Sequence, residues 1–325
     1  MLQHTVHTPY MVGDVHFYSA ELDGALALFD TGPPTPEGEG ALRGSVDLGR
    51  LKYLFITHCH VDHYGLANYV LENSSACVYL PRLDAVKFTR HADRMACLGS
   101  LLGQYGFGAE FVRQLRESSD RHKVFPAVPE RYRIVEESAE LKALGIDWLA
   151  CPGHSQSDLV YLVGDCAVSG DLLLRDIFQA PLLDIDLETF ESRYRNYDAY
   201  CASLGKLVRL RGLRILPGHR ENVGGVDAAI VFYVTTLLER SAKLLPFRGL
   251  AVNEMVERLF QGRLTDPFHV YLKISEIVFM LDFMENPDLL RSALESIGLF
   301  DQVAQLYSMA ATSNKIKKSA HGLNA

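Results

Sequence analysis

Three histidines and one aspartate are crowded into six residues directly after an apolar run. The run is Tyr53-Leu-Phe-Ile, and the polar stretch that follows is Thr57-His58-Cys59-His60-Val61-Asp62-His63. Burying four such side chains together is costly unless a cation compensates them, so the spacing predicts a divalent metal site. Imidazole and carboxylate ligands suit zinc, and they equally suit iron, manganese or cobalt.

The sequence contains more candidate ligand residues than one metal ion requires. In an extended chain His58 and His60 project to the same side. Asp62 and His63, which follow, can turn toward a second position. Three further candidates each follow a strand-like segment: Pro-Gly-His154, Gly-Asp171 and Pro-Gly-His219. A Pro-Gly turn places the next residue at the carboxyl edge of its strand, so the sequence predicts two metal positions at one edge.

Taken in order, these motifs resemble the signature of the metallo-β-lactamase superfamily over roughly residues 13 to 220. The resemblance implies an α+β fold, an αββα sandwich in which two β-sheets pack face to face with helices outside. It also implies two divalent metal ions, with zinc expected and iron or manganese as alternatives. By the same resemblance His58, His60 and His154 would hold the first ion. Asp62, His63 and His219 would hold the second, and Asp171 would bridge both.

The resemblance implies a chemistry as well. Two ions that share a water lower its pKa toward neutrality, and one of them can polarise a carbonyl. Asp62 is the candidate catalytic residue, because it could orient the hydroxide or pass a proton to the leaving group. Asp30, in Leu28-Phe29-Asp30-Thr31-Gly32, matches a family position that accepts the N–H of a ligating histidine. The expected reaction is hydrolysis of a carbonyl ester or thioester.

The substrate branch stays open. Glyoxalase II-like enzymes and related thioesterases combine the sandwich with C-terminal helices, which favours a small-molecule thioester or ester. Homoserine-lactone hydrolases typically place a tyrosine soon after the bridging aspartate, whereas Leu172-Leu173-Leu174-Arg175 follows Asp171 here. A lactonase, a persulfide dioxygenase with one iron, and a signalling or binding protein that retains its metals are the alternatives.

Several elements must position these ligands. Strands are predicted over Val15 to Asp30 (a hairpin), Tyr53 to Thr57, Ala76 to Leu80, Tyr132 to Val135, Ile146 to Ala150, Leu159 to Val163, Ala167 to Ser169 and Leu213 to Leu216. Helices are predicted over Gly65 to Glu72, Glu188 to Leu207, Ala228 to Leu245, Val252 to Phe260, Val270 to Phe283 and Asp288 to Ser296. Residues 32 to 40 are expected to form a loop. A catalytic domain over 1–225 and a helical C-terminal subdomain over 226–325 are therefore expected.

A helical insertion over about residues 83 to 118 is either a lid or substrate wall, or a packing layer without contact to ligand. Five arginines could anchor an acidic substrate group: Arg82, Arg90, Arg94, Arg175 and Arg220. Arg175 and Arg220 are the favoured anchors, because each lies just after a ligand turn. His16 and His269 are further histidines that could approach the cleft. Apolar residues of the first C-terminal helix, among them Phe232, Tyr233 and Leu237, suggest a homodimer contact or burial within the chain.

The charge composition limits the classes of molecule that the chain is expected to bind. The 325 residues carry 32 Lys and Arg against 40 Asp and Glu, a formal net charge of −8. This balance argues against nucleic acid, which is bound by clustered cations. The basic cluster Lys315, Lys317 and Lys318 is expected to be a solvated tail. Without a signal-like start or a bilayer-length apolar stretch, the chain is expected to be cytoplasmic and free of membrane contact, with its six cysteines reduced.

Overall fold

A computed structural model describes residues 1–121, 127–179 and 181–311. Lys315, Lys317 and Lys318 lie outside these residues, and so do His122 and His321. Within the described chain, ten strands form two sheets. The first sheet contains β1 (Leu2–His7), β2 (Asp14–Leu22), β3 (Ala25–Phe29), β4 (Leu51–Phe55), β5 (Cys77–Leu80) and β6 (Arg133–Ile134). The second contains β7 (Ile146–Ala150), β8 (Leu159–Val163), β9 (Cys166–Gly170) and β10 (Arg214–Pro217).

Strand direction brings several carboxyl ends to one edge. In the first sheet β1, β2 and β3 are antiparallel, whereas β3 to β6 run parallel. In the second sheet, whose spatial order is β10-β9-β8-β7, the pair β9 and β10 is parallel and the other pairs are antiparallel. The ends of β3 and β4 therefore share an edge, as do the ends of β7, β9 and β10.

Alternation along the strands creates the layers. One set of side chains from both sheets forms a common core between them, including Tyr18, Phe29, Phe55, Tyr79, Tyr161, Val168 and Leu216. Intervening residues of the first sheet, such as Phe17 and Leu54, pack outward with Leu42 and Val70. Because each sheet buries both faces, the predicted αββα sandwich is confirmed.

Twelve α-helices lie within the described residues. On the side of the first sheet are α1 (Pro36–Ser45), α2 (Val61–Tyr64) and α3 (Ala67–Asn73). The insertion contains α4 (Arg82–Thr89), α5 (His91–Gln104) and α6 (Ala109–Arg121), and α7 (Asn196–Leu207) precedes β10. The C-terminal helices are α8 (Val226–Leu244), α9 (Val252–Phe260), α10 (Pro267–Glu285), α11 (Pro287–Ser296) and α12 (Ala304–Ala311). No helix in the described ranges is long and apolar enough to cross a membrane.

Three expectations from the sequence were wrong or incomplete. The edge strand β1 was not predicted, because only Val6 is buried in its exposed, polar sequence. Residues 36–40 are helical, not loop, because the side chain of Thr35 caps α1 by accepting from the backbone N–H of Gly38 at 3.0 Å. Helix α7 begins at Asn196 rather than at residue 188. Asp186 Oδ1 accepts the N–H groups of Glu188 and Thr189, as an N-cap does, but Phe190 adopts a left-handed backbone (φ 59°) and Ile185 bridges to Arg193, so the turn does not continue into a helix.

The C-terminal helices bury their apolar side chains within the chain. Tyr233, Leu237 and Leu238 of α8 belong to one core cluster with α7, α10 and the outer face of the second sheet. This burial accounts for the surplus apolar surface from which a dimer contact was inferred. The homodimer stays a prediction, and this apolar surface no longer supports it. The division of the chain at residue 226 also stays a prediction.

Aromatic packing between the sheets generates the first prediction. Phe55 is fully buried, and its ring centroid lies 5.2 Å from Phe29, 5.0 Å from Tyr79 and 5.6 Å from Tyr161. Phe55→Ala is expected to lower the free energy of unfolding by about 3–5 kcal/mol, measured by urea denaturation, because it leaves a cavity between two sheets. Met309→Ala, at a side chain that is 59% exposed, is the control and should change it by less than about 0.5 kcal/mol. Equal stability of the two variants would contradict the packing described.

Candidate metal centre

The predicted ligands follow strand ends at the shared edge of the sandwich. His58 follows β4 after the two residues Ile56 and Thr57, and Asp62 and His63 lie on the single turn of α2. His154, Asp171 and His219 follow β7, β9 and β10 respectively. The structure therefore brings all seven predicted residues to one place. Six of them are buried and His60 is half-buried.

The first group joins three histidines. His60 Nδ1 lies 3.0 Å from His58 Nε2 and 3.0 Å from His154 Nε2. One atom from each residue lies within 4.8 Å of the others, so the three could hold one metal ion. This is the set that the family resemblance implied for the first ion.

The second group contains Asp62, His63 and His219, whose potential ligand atoms also lie within 4.8 Å of one another. His219 Nε2 is 3.2 Å from Asp62 Oδ2 and 3.5 Å from Asp171 Oδ1. Asp171 connects the two groups, since its Oδ1 is 3.3 Å from His63 Nε2 and its Oδ2 is 3.7 Å from His154 Nε2. This placement agrees with the predicted bridging role of Asp171, although metal binding itself stays a prediction.

Hydrogen bonds on the far side of the rings decide which nitrogen faces the centre. His219 Nδ1 lies 2.7 Å from the carbonyl oxygen of Asp14, which can only accept, so Nδ1 carries the proton and Nε2 presents a lone pair. His63 Nδ1 likewise donates to Asp30 Oδ2 at 2.9 Å. Orienting partners of this kind fix the tautomer of a metal-binding histidine.

Asp30 is the main support of this arrangement, as its family position suggested. Its Oδ1 accepts the backbone N–H of Thr57 at 2.8 Å, and its Oδ2 accepts the Thr57 hydroxyl at 2.8 Å as well as His63. The Thr57 oxygen lies 3.1 Å from His58 Nδ1 and can accept its proton. Asp30 holds a left-handed backbone (φ 59°), a conformation that costs about 1 kcal/mol or more for a non-glycine residue.

Electrostatics divide the ligands into two kinds. Burial lowers the pKa of His58 and His60 well below the usual value, with neighbouring imidazoles adding to the effect, so both stay neutral and keep lone pairs. Burial opposes protonation of His63, yet the carboxylates of Asp171 and Asp62 raise its pKa well above the usual value. Burial likewise opposes ionisation of Asp171, but the imidazoles of His219 and His63 hold its pKa well below the usual range.

The buried polar atoms fit a cation. His63 Nε2, His219 Nε2 and Asp171 Oδ1 are buried and have no hydrogen-bond partner. Such orphaned atoms cost free energy unless something satisfies them. In the metal-free site a proton on His63 offsets the neighbouring carboxylates, and a divalent cation would displace that proton and be bound by the three atoms together, so this donor set fits divalent metals.

Close approach also shapes the site at Gly218. A Cβ at this position would lie 2.5 Å from Asp171 Oδ1 and 2.6 Å from His63 Cε1. Only glycine lets the strand end pass between these two side chains. The Pro-Gly-His219 motif therefore does more than form a turn, because its glycine makes room for the predicted ligands.

Sequence reasoning missed two supporting residues, Asp84 and Lys87 of α4. Asp84 Oδ2 accepts the backbone N–H of Cys59 at 2.7 Å, and Lys87 Nζ donates to the Cys59 carbonyl at 3.3 Å while lying 2.7 Å from Asp84 Oδ1. Together they hold the backbone N–H and the backbone carbonyl of Cys59, which lies between His58 and His60. The contact spans 25 residues of sequence and leaves no local pattern that could predict it.

Other candidates have different places. Cys59 is buried outside the metal-site groups of the described residues, and burial raises the pKa of its thiol well above the usual value. His16 belongs to β2 and lies beside His219. Both of its ring nitrogens are already hydrogen-bonded, one to the Arg220 carbonyl and the other to Thr5 Oγ1. His269 lies in the first turn of α10, outside the metal-site groups of the described chain.

Both favoured arginine anchors, Arg175 and Arg220, are exposed, and Arg175 is paired with Glu221 at 2.7 Å. Arg94, by contrast, is buried, pairs with Asp184 at 2.8 Å, and lines a cavity that begins at His60. Helices α4 to α6 form part of this cavity, so the insertion lies beside the metal centre as a wall.

Comparisons with known proteins agree with the fold. A sequence profile described as the metallo-beta-lactamase superfamily matches residues 11–219. A metallo-beta-lactamase family protein from Thermus thermophilus is 22% identical, with a TM-score of 0.67 over 88% of this chain and 93% of that chain. A beta-lactamase domain protein from Burkholderia ambifaria is 18% identical, with a TM-score of 0.66 over 87% of this chain and 85% of that chain. A search of curated proteins gave no match.

Asp30 generates the prediction for this centre. Asp30→Asn is expected to weaken metal binding about 10- to 100-fold, because His63 loses a charged acceptor for its Nδ1 proton. Competition with a chromophoric chelator would measure the affinity. The matched control is Asp301→Asn, at an exposed residue, which should bind metal like the unchanged protein. Unchanged affinity in Asp30→Asn would show that this carboxylate does not orient a ligand.

Proposed function

The chain belongs to the metallo-beta-lactamase superfamily, and from this premise we propose that it is a metal-dependent hydrolase acting on a small-molecule ester or thioester. The single observation that carries the proposal is the inward direction of the ligand atoms. His63 Nε2 and His219 Nε2 face the same buried space as Asp171 Oδ1, at 3.3 and 3.5 Å from it. Crowding ligand atoms of this kind into one buried space is costly unless a cation binds them together.

The residues divide between two ions. His58, His60 and His154 would hold one, Asp171 would contact both, and the other would be held by the remaining group, Asp62, His63 and His219. Bound there, two divalent ions supply a water of lowered pKa and a Lewis acid for the carbonyl oxygen. We expect zinc, with iron and manganese as the alternatives.

Asp62 is proposed to move the proton. Its Oδ2 faces His219 Nε2 at 3.2 Å, whereas its Oδ1 is 4.0 Å from His63 Nε2, beyond hydrogen-bond length. Burial opposes ionisation of Asp62, but His63 and His219 lower its pKa, so the carboxylate is ionised and able to accept a proton. Oδ1 would take the proton from the attacking water and return it to the departing alcohol or thiol.

A serine nucleophile is not favoured by the contacts near His154. The Ser155 hydroxyl donates to Asp158 Oδ1 at 2.7 Å, and the Ser155 N–H bonds to Asp158 Oδ2 at 2.7 Å. This serine is held by the carboxyl group of Asp158, and no imidazole of the described residues is hydrogen-bonded to its hydroxyl. Attack by water therefore fits these residues better than attack by a serine.

Substrate panels test the proposal. Protein loaded separately with zinc, manganese or iron is expected to hydrolyse at least one thioester, ester or lactone, and chelation should abolish turnover until metal is restored. His60→Ala is the inactive control because it removes one ligand. Oxygen uptake on glutathione persulfide by the iron form would instead indicate a dioxygenase. The absence of turnover with every metal and substrate would favour a binding or signalling role.

Asp62→Asn separates proton transfer from metal binding. The amide oxygen can still coordinate, so the variant is expected to retain two ions per chain while kcat falls about 10²- to 10⁴-fold. Metal content by elemental analysis and kcat on the best panel substrate are the measurements. If metal and activity are lost in parallel, Asp62 serves only as a ligand.

A further inference from the structure

A cavity leads from His60 into the space between the helical insertion and α10. Six apolar side chains from three parts of the chain line it: Met95, Leu98, Leu115, Leu182, Leu187 and Phe268. Leu98, Leu115 and Leu187 are buried, whereas Met95, Leu182 and Phe268 are half-buried. Apolar walls with a few polar groups at one end are typical of sites for small molecules.

Charges in the cavity wall are already compensated. Lys87 Nζ is 2.7 Å from Asp84 Oδ1, and Arg94 Nε is 2.8 Å from Asp184 Oδ2. Each cation therefore has its own carboxylate. A second anion in this space would need a counter-charge that these paired side chains do not supply, and burying it would be costly. The cavity is suited to a neutral apolar group.

One wall of the cavity is fixed to the metal-binding loop. Gln156, two residues after His154, donates through Nε2 to the carbonyl of Ile185 at 2.6 Å and accepts the Leu187 N–H through Oε1 at 3.0 Å. All three residues are buried. This bonding sets Leu187 at a constant position relative to the predicted ligand His154, so the apolar wall is formed before any ligand binds.

We propose that the cavity binds a neutral aliphatic acyl chain, with the acyl carbonyl at the His60 end. The inference rests on the proposed hydrolase function and adds a substrate class to it. In the reaction the acyl C–S or C–O bond breaks, the oxygen of water bonds to the acyl carbon, and the departing thiol or alcohol takes the proton. The acyl chain stays in the cavity, and the leaving group lies outside it.

Chain length is the direct test. Acetyl, butyryl, hexanoyl and octanoyl thioesters of N-acetylcysteamine would be compared with metal-loaded protein. Each buried methylene is expected to raise kcat/KM by about fourfold, so butyryl should exceed acetyl by about tenfold or more. Lengthening the thiol side instead should change kcat/KM less than about twofold. Adipoyl thioester, with a terminal carboxylate, should react at least about 100-fold more slowly than hexanoyl thioester because its charge would be buried.

Met95→Trp would fill the cavity from α5 and remove the preference for longer chains, so the ratio of kcat/KM for butyryl over acetyl thioester is expected to fall to about one. Met309→Trp is the matched control, since it makes the same substitution at a side chain that is 59% exposed on α12. Calorimetric titration of unchanged protein with butyramide, hexanamide and octanamide gives a readout without turnover. The affinity is expected to rise about fourfold per methylene.

The outcomes are distinguishable. Hydrolysis without chain-length dependence, a preference for adipoyl thioester, or equal behaviour of the two tryptophan variants would overturn the acyl-chain inference and leave the hydrolase intact. If no thioester, ester or lactone is hydrolysed, the proposed function fails, and the amide titration still tests the cavity. If Met95→Trp does not fold, the amide series and the adipoyl comparison decide. Flat amide affinities would also overturn the inference.

Discussion

The constraint on which the structure depends is the convergence of nitrogen and oxygen lone pairs in one buried space. His63 and His219 each donate the Nδ1 proton to a fixed acceptor behind the ring, at Asp30 and at the backbone of Asp14. Their Nε2 atoms are thereby committed to face Asp171. Without a cation, only a proton on an imidazole offsets the buried carboxylates, whereas a divalent ion would bind all of these atoms at once.

The sandwich makes this convergence possible because the ligands follow strand ends of both sheets, on opposite sides of the site. Hydrogen bonds also join the two sheets at this edge. The backbone N–H of Leu159 donates to the Thr57 carbonyl at 3.0 Å, and that of His16 donates to the Gly218 carbonyl at 2.7 Å, so the ends of different sheets are bonded to each other. The hydroxyls of Tyr18 and Tyr161 add bonds from the buried core to the carbonyls of Pro217 and Ile56. Ligands on loops would be mobile, but these loops are fixed within a few residues by bonds across the sandwich.

The sequence was informative where chemistry and local pattern coincide. Strands β7 and β8 were predicted with their observed bounds, because each mainly apolar run is bounded on both sides by Gly, Pro or Asp residues. Asp30 was placed correctly from its motif. Asp84 and Lys87 were missed because their partner Cys59 is distant in sequence. Arg94 was ranked below Arg175 because proximity to a ligand turn was the only criterion, whereas burial depends on how α5 packs against the rest of the chain.

Helix α4 links the two parts of the protein that the sequence treated separately. Asp84 and Lys87 hold the Cys59 peptide between two predicted ligands, and Lys87 also lines the cavity. The helical insertion is thus both a support for the metal-binding loop and a wall of the adjoining space. A ligand that displaced Lys87 from Asp84 would loosen the Cys59 carbonyl and, through it, His60. Keeping that ion pair intact therefore favours an occupant without charge, which connects the stability of the metal centre to the kind of substrate that fits beside it.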